Sequence, residues 1–330
     1  MTNTLKISIV TPSFNQANYL EQTIQSVLDQ DYPNLEYIIM DGGSTDGSVE
    51  IIRKYEKYIA HWESNSDKGQ SDAINKGLKY CTGDIFNWLN SDDYYNSGAL
   101  KTVAKAFHEN GADVIGGRER AFYSSTGETT EIFNGTQIKG NVYELIYHGI
   151  IDQPPTFWNM KTIRALGPLP INLHYTMDAY WWIKYLLLSG LENVFKIEDI
   201  LTNFRLHEHS KSMTAQDNFE VERLSLRKEL AHTLNFNTVI SQYYEDKDLI
   251  PLDGIFNDCK NLLSADIKKL ESVFAAYIYP LYYMKYDLPN AKAAFKIFKR
   301  YSAINIRFIS DFIKLLLIPG FVLSALRKLK

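Results

Sequence analysis

Along the first half of the chain, hydrophobic and polar positions alternate between two periods. "KISIVTP" (6–12) is a β-rich apolar run that stops at Pro12. "NYLEQTIQSVLDQ" (18–30) then places Leu20, Ile24, Val27 and Leu28 on one helical face. A second strand, "LEYIIMD" (35–41), leads into a helix over 46–58 with Asp46 as its N-cap. The rhythm continues with a helix over 69–80, a strand over 84–89, a helix over 97–110 stopped by Gly111, and a strand over 112–117. Alternation of this kind predicts βαβ units and a mostly parallel sheet covered by helices. Ligands of such sheets bind beyond the carboxyl ends of the strands. Three predicted strands end there on polar residues: Thr11 to Asn15, Asp41 to Asp46, and Asn90 to Asp93.

From about 118 to 212 the pattern is mixed, with a loop over 151–159 and a helix over 177–190. Beyond 215 it is almost wholly helical. The expected division is an α/β domain over 1–214, with halves meeting near 117, and a helical region over 215–330.

Composition narrows the class. Hydrophobic residues at 45% and charged residues at 22% are ordinary globular values, so disorder is not expected. The net charge of −4 hides an asymmetry. Residues 291–330 hold nine Lys or Arg and one Asp, which leaves 26 basic and 38 acidic residues before them. The acidic body argues against a nucleic-acid partner, and the basic end is expected to meet something anionic. Within that end, the apolar stretch Leu315 to Leu326 is shorter than the roughly 20 residues a membrane span needs, and Pro319-Gly320 breaks it. The expectation is peripheral contact with the inner face of the cytoplasmic membrane. Cys81 and Cys259 match no zinc or redox spacing and read as free thiols in a reducing compartment. With no signal-peptide pattern at the start, a cytoplasmic location is expected.

No GxGxxG follows the first strand and no GxxxxGK[ST] occurs, which disfavours dehydrogenases and P-loop enzymes. The chemistry concentrates in "DIFNWLNSDDYY" (84–95), where an apolar run ends on two adjacent carboxylates. Side by side they repel, and neither is buried cheaply without a partner. Mg²⁺ or Mn²⁺ is such a partner, since these ions take one or two carboxylates plus substrate phosphates. A turn and helix cap explains Asp-Asp equally well on these residues alone. Asp41, just past its strand, stands where a carboxylate accepts a nucleotide base N–H. In "FRLHEHSKS" (204–212), His207 and His209 share a face if the segment is a strand, so spacing does not choose between them.

"SIVTPSFNQANYLEQTIQSVLDQDYPNLEYIIMDGGSTDGS" and, in register, "SDKGQSDAINKGLKYCTGDIFNWLNSDD" resemble the family 2 glycosyltransferases, inverting enzymes with a GT-A fold. The similarity covers roughly residues 5–212. It implies that Thr11, Pro12, Phe14 and Asp41, with Asn15 beside them, hold the nucleotide base. It also implies that Asp67, Gly69, Gln70 and Asn75 lie near the ribose and donor sugar, and that Asp92 and Asp93 form the metal-binding acidic motif. Asn90 stands where the family often carries a carboxylate and is expected to hydrogen-bond the nucleotide or a metal-bound water. By the same match Asp178 is the general base, with Met177 in place of the family's Glu. His207 approaches the metal or diphosphate, and Arg205, with Ser210 and Lys211, binds the leaving phosphates. Core packing is the default for Trp158, Trp181 and Trp182, with Trp158 the candidate for stacking on a sugar instead.

The implied activity moves a sugar from a nucleoside diphosphate donor, a UDP-sugar, to a hydroxyl of a lipid-linked glycan in bacterial surface polysaccharide assembly. The nucleotide-sugar half is then about 1–117 and the acceptor half about 118–214. Two alternatives accompany this reading: a transferase that loads polyprenyl phosphate, and a non-catalytic membrane-bound partner that keeps the fold.

Overall fold

The computed structural model describes residues 4–133, 141–245, 247–262 and 264–301. Nine strands among them form one sheet: β1 (Ile7–Ser13), β2 (Leu35–Asp41), β3 (His61–Ser64), β4 (Ile85–Trp88), β5 (Tyr94–Tyr95), β6 (Val114–Tyr123), β7 (Thr129–Phe133), β8 (Thr156–Asn159) and β9 (Val194–Leu206). Their order is β3-β2-β1-β4-β8-β6-β9-β5, with β7 paired to β6. β1 pairs in parallel with β2, from Ile7↔Leu35 to Ser13↔Asp41, and with β4, from Ile7↔Ile85 to Val10↔Trp88. Contacts of β8 with β4 and β6 are antiparallel, whereas β6 and β9 run parallel. The expected α/β fold with a mostly parallel sheet is therefore present.

The helices are α1 (Ala17–Leu28), α2 (Ser48–Tyr55), α3 (Gln70–Leu78), α4 (Ala99–Asn110), α5 (Val142–His148), α6 (Met160–Leu166), α7 (Met177–Ser189), α8 (Lys211–Thr214), α9 (Gln216–Thr233), α10 (Thr238–Glu245), α11 (Ser264–Met284) and α12 (Leu288–Tyr301). Helices cover both sides of the central strands, which is why Ile7, Ile9, Val10, Ile38, Ile39 and Phe86 form continuous apolar runs and are all buried. Leu20, Ile24 and Val27 of α1 join that core. α4 ends as expected at Gly111, whose φ of 58° is the left-handed geometry glycine adopts freely.

α7 is apolar on nearly every side and buries Trp181, Trp182 and Tyr185. Trp158 is 1% exposed and packs edge-on against Trp182 and Tyr185, at 6.2 and 5.7 Å between ring centres. The expectation that it stacks on a sugar is therefore corrected: it is a core residue. The stretch 151–159, expected as a loop, ends in β8. Short strands carry too few positions to show a period of two, and Pro154-Pro155 disguises this one.

The described residues divide into two compact units, one within 1–140 and 149–222 that holds the sheet, the other comprising 141–148 and the chain from 223. In the second unit α5, α10, α11 and α12 pack together around aromatic contacts such as Tyr147 stacked on Tyr277 at 4.2 Å. α12 buries Ala291, Ala294 and Phe295 and exposes Lys292, Lys296, Lys299 and Arg300. No helix among the described residues is long and apolar enough to cross a membrane. The basic, apolar segment 306–330 lies outside the described residues. Both cysteines are free and buried.

Candidate active site

The parallel strands deliver their polar ends to one rim, and side chains tie those ends together. Asn15, with a φ of 52°, donates its N–H to Ser44 Oγ at 2.7 Å, and its Oδ1 accepts from Thr45 N at 3.0 Å. Asp46 accepts from the first N–H groups of two helices, Ala17 of α1 at 2.9 Å and Ser48 of α2 at 3.1 Å. Thr11 is buried with its hydroxyl on Tyr37 at 3.1 Å, and Pro12 is likewise inside the sheet. Phe14 is 60% exposed, an open aromatic face at the end of β1. Gly42 lies beneath it, and a Cβ there would come within 3.0 Å of Asp67 Oδ2 and 3.2 Å of the Phe14 ring. Gly42 thus packs closely on both Asp67 and Phe14, and leaves the outer face of the Phe14 ring open.

Asp41 is only 2% exposed and accepts four hydrogen bonds, from Gly43 N, Ser44 N, Ser44 Oγ and Ser64 Oγ at 2.6–3.1 Å. It shapes the 41–44 turn from inside. Asn75 exchanges two hydrogen bonds with the Leu169 backbone, at 2.8 and 2.9 Å, and so holds the segment before α7. Asp41 and Asn75, both expected near the nucleotide sugar, are thus engaged largely by neighbouring backbone.

The turn after β4 separates the two carboxylates. Asp92 points outward, and its Oδ2 lies 3.1 Å from His207 Nε2. His207 Nδ1 accepts from His209 N at 3.3 Å, which places the ring proton on Nε2 facing Asp92. The His209 side chain is 81% exposed beside Glu208, so the structure distinguishes the two histidines that spacing does not. Asp93 points inward and is 1% exposed, accepting from Arg205 N at 2.9 Å and Asn90 Nδ2 at 3.2 Å. Burial first, then the Asp92 charge, push its carboxyl well above the usual range. Glu119 adds to that push, and burial raises its own pKa to about 8.

Arg205 is taken up by the protein. Its Nε donates to Asp92 O at 2.8 Å and its Nη2 to Gln22 Oε1 at 2.5 Å. The guanidinium lies 4.9 Å from the centres of both the Tyr19 and Phe122 rings. Expected on the leaving phosphates, it is 8% exposed, and three of its five N–H donors meet Asp92 O, Ser124 Oγ and Gln22 Oε1. Its cation holds the Asp92-Asp93 turn in place.

A chain of contacts runs from this turn to α7. Asn90 Oδ1 accepts from Gln70 Nε2 at 2.7 Å. Gln70 Oε1 accepts from Lys211 Nζ at 3.0 Å, which also donates to His174 O at 2.9 Å. Gly69, with a φ of 106°, faces the His174 ring so closely that a Cβ would meet Nδ1 at 2.9 Å. Ser71 Oγ donates to Leu173 O at 2.5 Å. Asp178 follows in the first turn of α7, where its Oδ1 accepts from Ala179 N at 2.7 Å. Residues 174–176 are held by Glu222 of α9, which no sequence motif marks.

Asp92 offers Mg²⁺ or Mn²⁺ a carboxylate here, and His207 Nε2 would join it on giving up the ring proton it directs at Asp92. No group of three or more His, Cys, Asp or Glu side chains able to hold a metal converges among the described residues. A carboxylate and an imidazole nonetheless suit a cation that draws most of its shell from substrate phosphates and water.

A mostly parallel sheet with aromatic, amide and carboxylate groups gathered at its carboxyl rim is the architecture of the GT-A fold. The chain belongs to glycosyl transferase family 2, whose family model matches residues 8–185. An uncharacterised glycosyltransferase of Rickettsia typhi is 25% identical over 65% of this chain and 68% of its own. The putative teichuronic acid biosynthesis glycosyltransferase TuaG of Bacillus subtilis is 40% identical over 29% of this chain, and the match spans 39% of its length. Among solved structures, S. aureus TarS residues 1–349 in complex with UDP-GlcNAc superposes with a TM-score of 0.58 at 17% identity, covering 91% of this chain and 93% of that one. That likeness establishes the fold.

Proposed function

We propose that this protein is an inverting glycosyltransferase of surface polysaccharide synthesis, transferring a sugar from a UDP-sugar to a hydroxyl of a lipid-linked glycan. The observation that carries the reading is the contact chain Asn90–Gln70–Lys211–His174, which joins the Asp92–His207 pair to the segment leading into Asp178. The names of TuaG, a teichuronic acid enzyme, and of TarS, bound to UDP-GlcNAc, support the polysaccharide setting and the uridine donor.

In this reading the base stacks on the exposed face of Phe14, and the diphosphate lies over the 90–93 turn. Asp92 and His207 would hold Mg²⁺ or Mn²⁺, which neutralises charge on the departing diphosphate. Lys211 Nζ supplies a further positive charge beside Gln70. Asp178 takes the proton of the acceptor hydroxyl as that oxygen bonds to the anomeric carbon. The bond to the phosphate oxygen breaks on the opposite face, UDP leaves, and the configuration inverts. The exposed cations of α12 and the basic residues beyond it fit an anionic membrane surface, where a lipid-linked acceptor resides.

The test is release of nucleoside diphosphate from a panel of sugar nucleotides by the purified protein, with Mn²⁺, Mg²⁺ or EDTA. Slow release from one donor, abolished by EDTA and by Asp92→Ala, is expected. Release indifferent to both would overturn the metal assignment. No turnover of any donor, even with a membrane extract as acceptor source, would sink the enzyme reading. The anomeric configuration of the product, read by NMR, decides inversion.

A further inference from the structure

We infer that Glu222 is the positioning residue for Asp178, a role that rests on the proposed reading of Asp178 as the base. The first N–H groups of a helix have no partner within it and need one from outside. The N-cap of α7, Thr176, makes no side-chain bond to its own helix. Its hydroxyl is turned to Glu222, which lies 46 residues ahead and is 1% exposed. The Glu222 carboxylate accepts from His174 N at 2.7 Å, Tyr175 N at 2.9 Å, Thr176 N at 2.8 Å and Thr176 Oγ1 at 3.0 Å. His174 N takes Oε1 and the other three donors gather on Oε2, so both oxygens of the carboxylate are engaged.

Three successive backbone amides fixed by one buried anion set the path of the chain into α7, and Asp178 is two residues beyond the last of them. The anion also sits at the positive end of that helix. On the other side of the same segment, Lys211 holds the His174 carbonyl and feels the Glu222 charge. The segment is thus clamped from both edges. Met177, beside Asp178, is apolar and 4% exposed, so it offers the carboxylate no polar neighbour. The place of Asp178 is set from α9.

The test compares Glu222→Ala, Glu222→Gln, Asp178→Asn and the Asp178→Asn/Glu222→Ala double variant in the full chain. Transfer rate, UDP affinity with Mn²⁺ by calorimetry, and hydrogen exchange of a peptide covering 172–180 are measured. Glu222→Ala is expected to lower transfer about 100-fold, the size of effect a misplacement near 1 Å produces. UDP affinity should stay within about twofold, the 172–180 amides should lose protection, and the loss of transfer should vanish in the Asp178→Asn background. Glu222→Gln, which keeps shape and one acceptor oxygen, should recover part of the rate. If Asp178→Asn abolishes transfer while Glu222→Ala leaves it intact, the clamp is wrong and the base stands. Equal losses from Glu222→Ala in both backgrounds would also overturn it. Full transfer by Asp178→Asn removes the base assignment, and with it the positioning role.

Discussion

Arg205 and Asp93 show how a charged side chain near a catalytic rim is committed to the scaffold. The Arg205 guanidinium, packed among Tyr19, Tyr94 and Phe122, fixes Asp92 through the Asp92 backbone carbonyl, and the Arg205 backbone N–H holds the Asp93 carboxylate. Arg205→Lys keeps the charge and loses the fork, so about 2 kcal/mol of stability should go, seen as a lower Tm, together with a slower donor release. Glu119 offers a test by pH. Its folded-state pKa of about 8 stands above the ordinary glutamate value of 4.5, so its contribution is present below the lower value and lost as pH rises through the higher one. Asp93 is shifted in the same direction. Stability should fall between about pH 4.5 and 8, by a few kcal/mol at most, and Glu119→Gln should flatten that fall. Parallel Tm–pH curves for the two proteins would contradict the assignment. Trp158→Ala should lose about 3–5 kcal/mol, measured by denaturant unfolding, because the ring is a fully buried part of the core. At this scale the sequence is ambiguous where neighbours diverge. Asp92 and Asp93 are adjacent letters, and only the turn sends one to His207 and the other to the backbone of β9.

At the scale of elements, the opening β1–α1–β2–α2 run was legible because each piece is long enough to show its period, although α2 begins at Ser48 with Gly47, not Asp46, at its N-cap. β3, β5 and β8, of four, two and four residues, were not. Glu222 escaped notice for a different reason. Its partners lie 46 to 48 residues earlier, and a glutamate in a polar helix resembles any solvated one. The seat of α3 is open to test. Gly77 lets this helix press onto β1, where a Cβ would meet Val10 Cγ1 at 2.6 Å. Gly77→Ala should cost about 1–3 kcal/mol and, by tilting Gly69 and Gln70 away from the 90–93 turn, weaken UDP binding. Calorimetric titration of both proteins with UDP would show it, and an unchanged affinity would mean that the helix gives way elsewhere.

For the whole molecule, the charge division becomes a statement about where work is done. Lys292, Lys296, Lys299 and Arg300 share the outer face of α12, and five further cations and one Asp follow in 302–330. Sedimentation with phosphatidylglycerol vesicles should be strong at low salt and fade as ionic strength rises. A chain ending at 301 should bind more weakly while still releasing UDP from its donor. Equal binding by both would place the contact elsewhere. The burial of α7 has another bearing. Its tryptophans and tyrosines interlock with β4 and β8, and its one buried cation, Lys184, is hydrogen-bonded to Leu166 O at 2.7 Å. A helix so enclosed leaves little room for drift, because almost any exchange of side chain disturbs a neighbour. Divergence among descendants of this chain should collect in the exposed links that precede it, around Ile150 and Ile171, while the helix itself is inherited nearly unaltered. Anyone redirecting this protein to a new acceptor would randomise those links first and leave α7 alone.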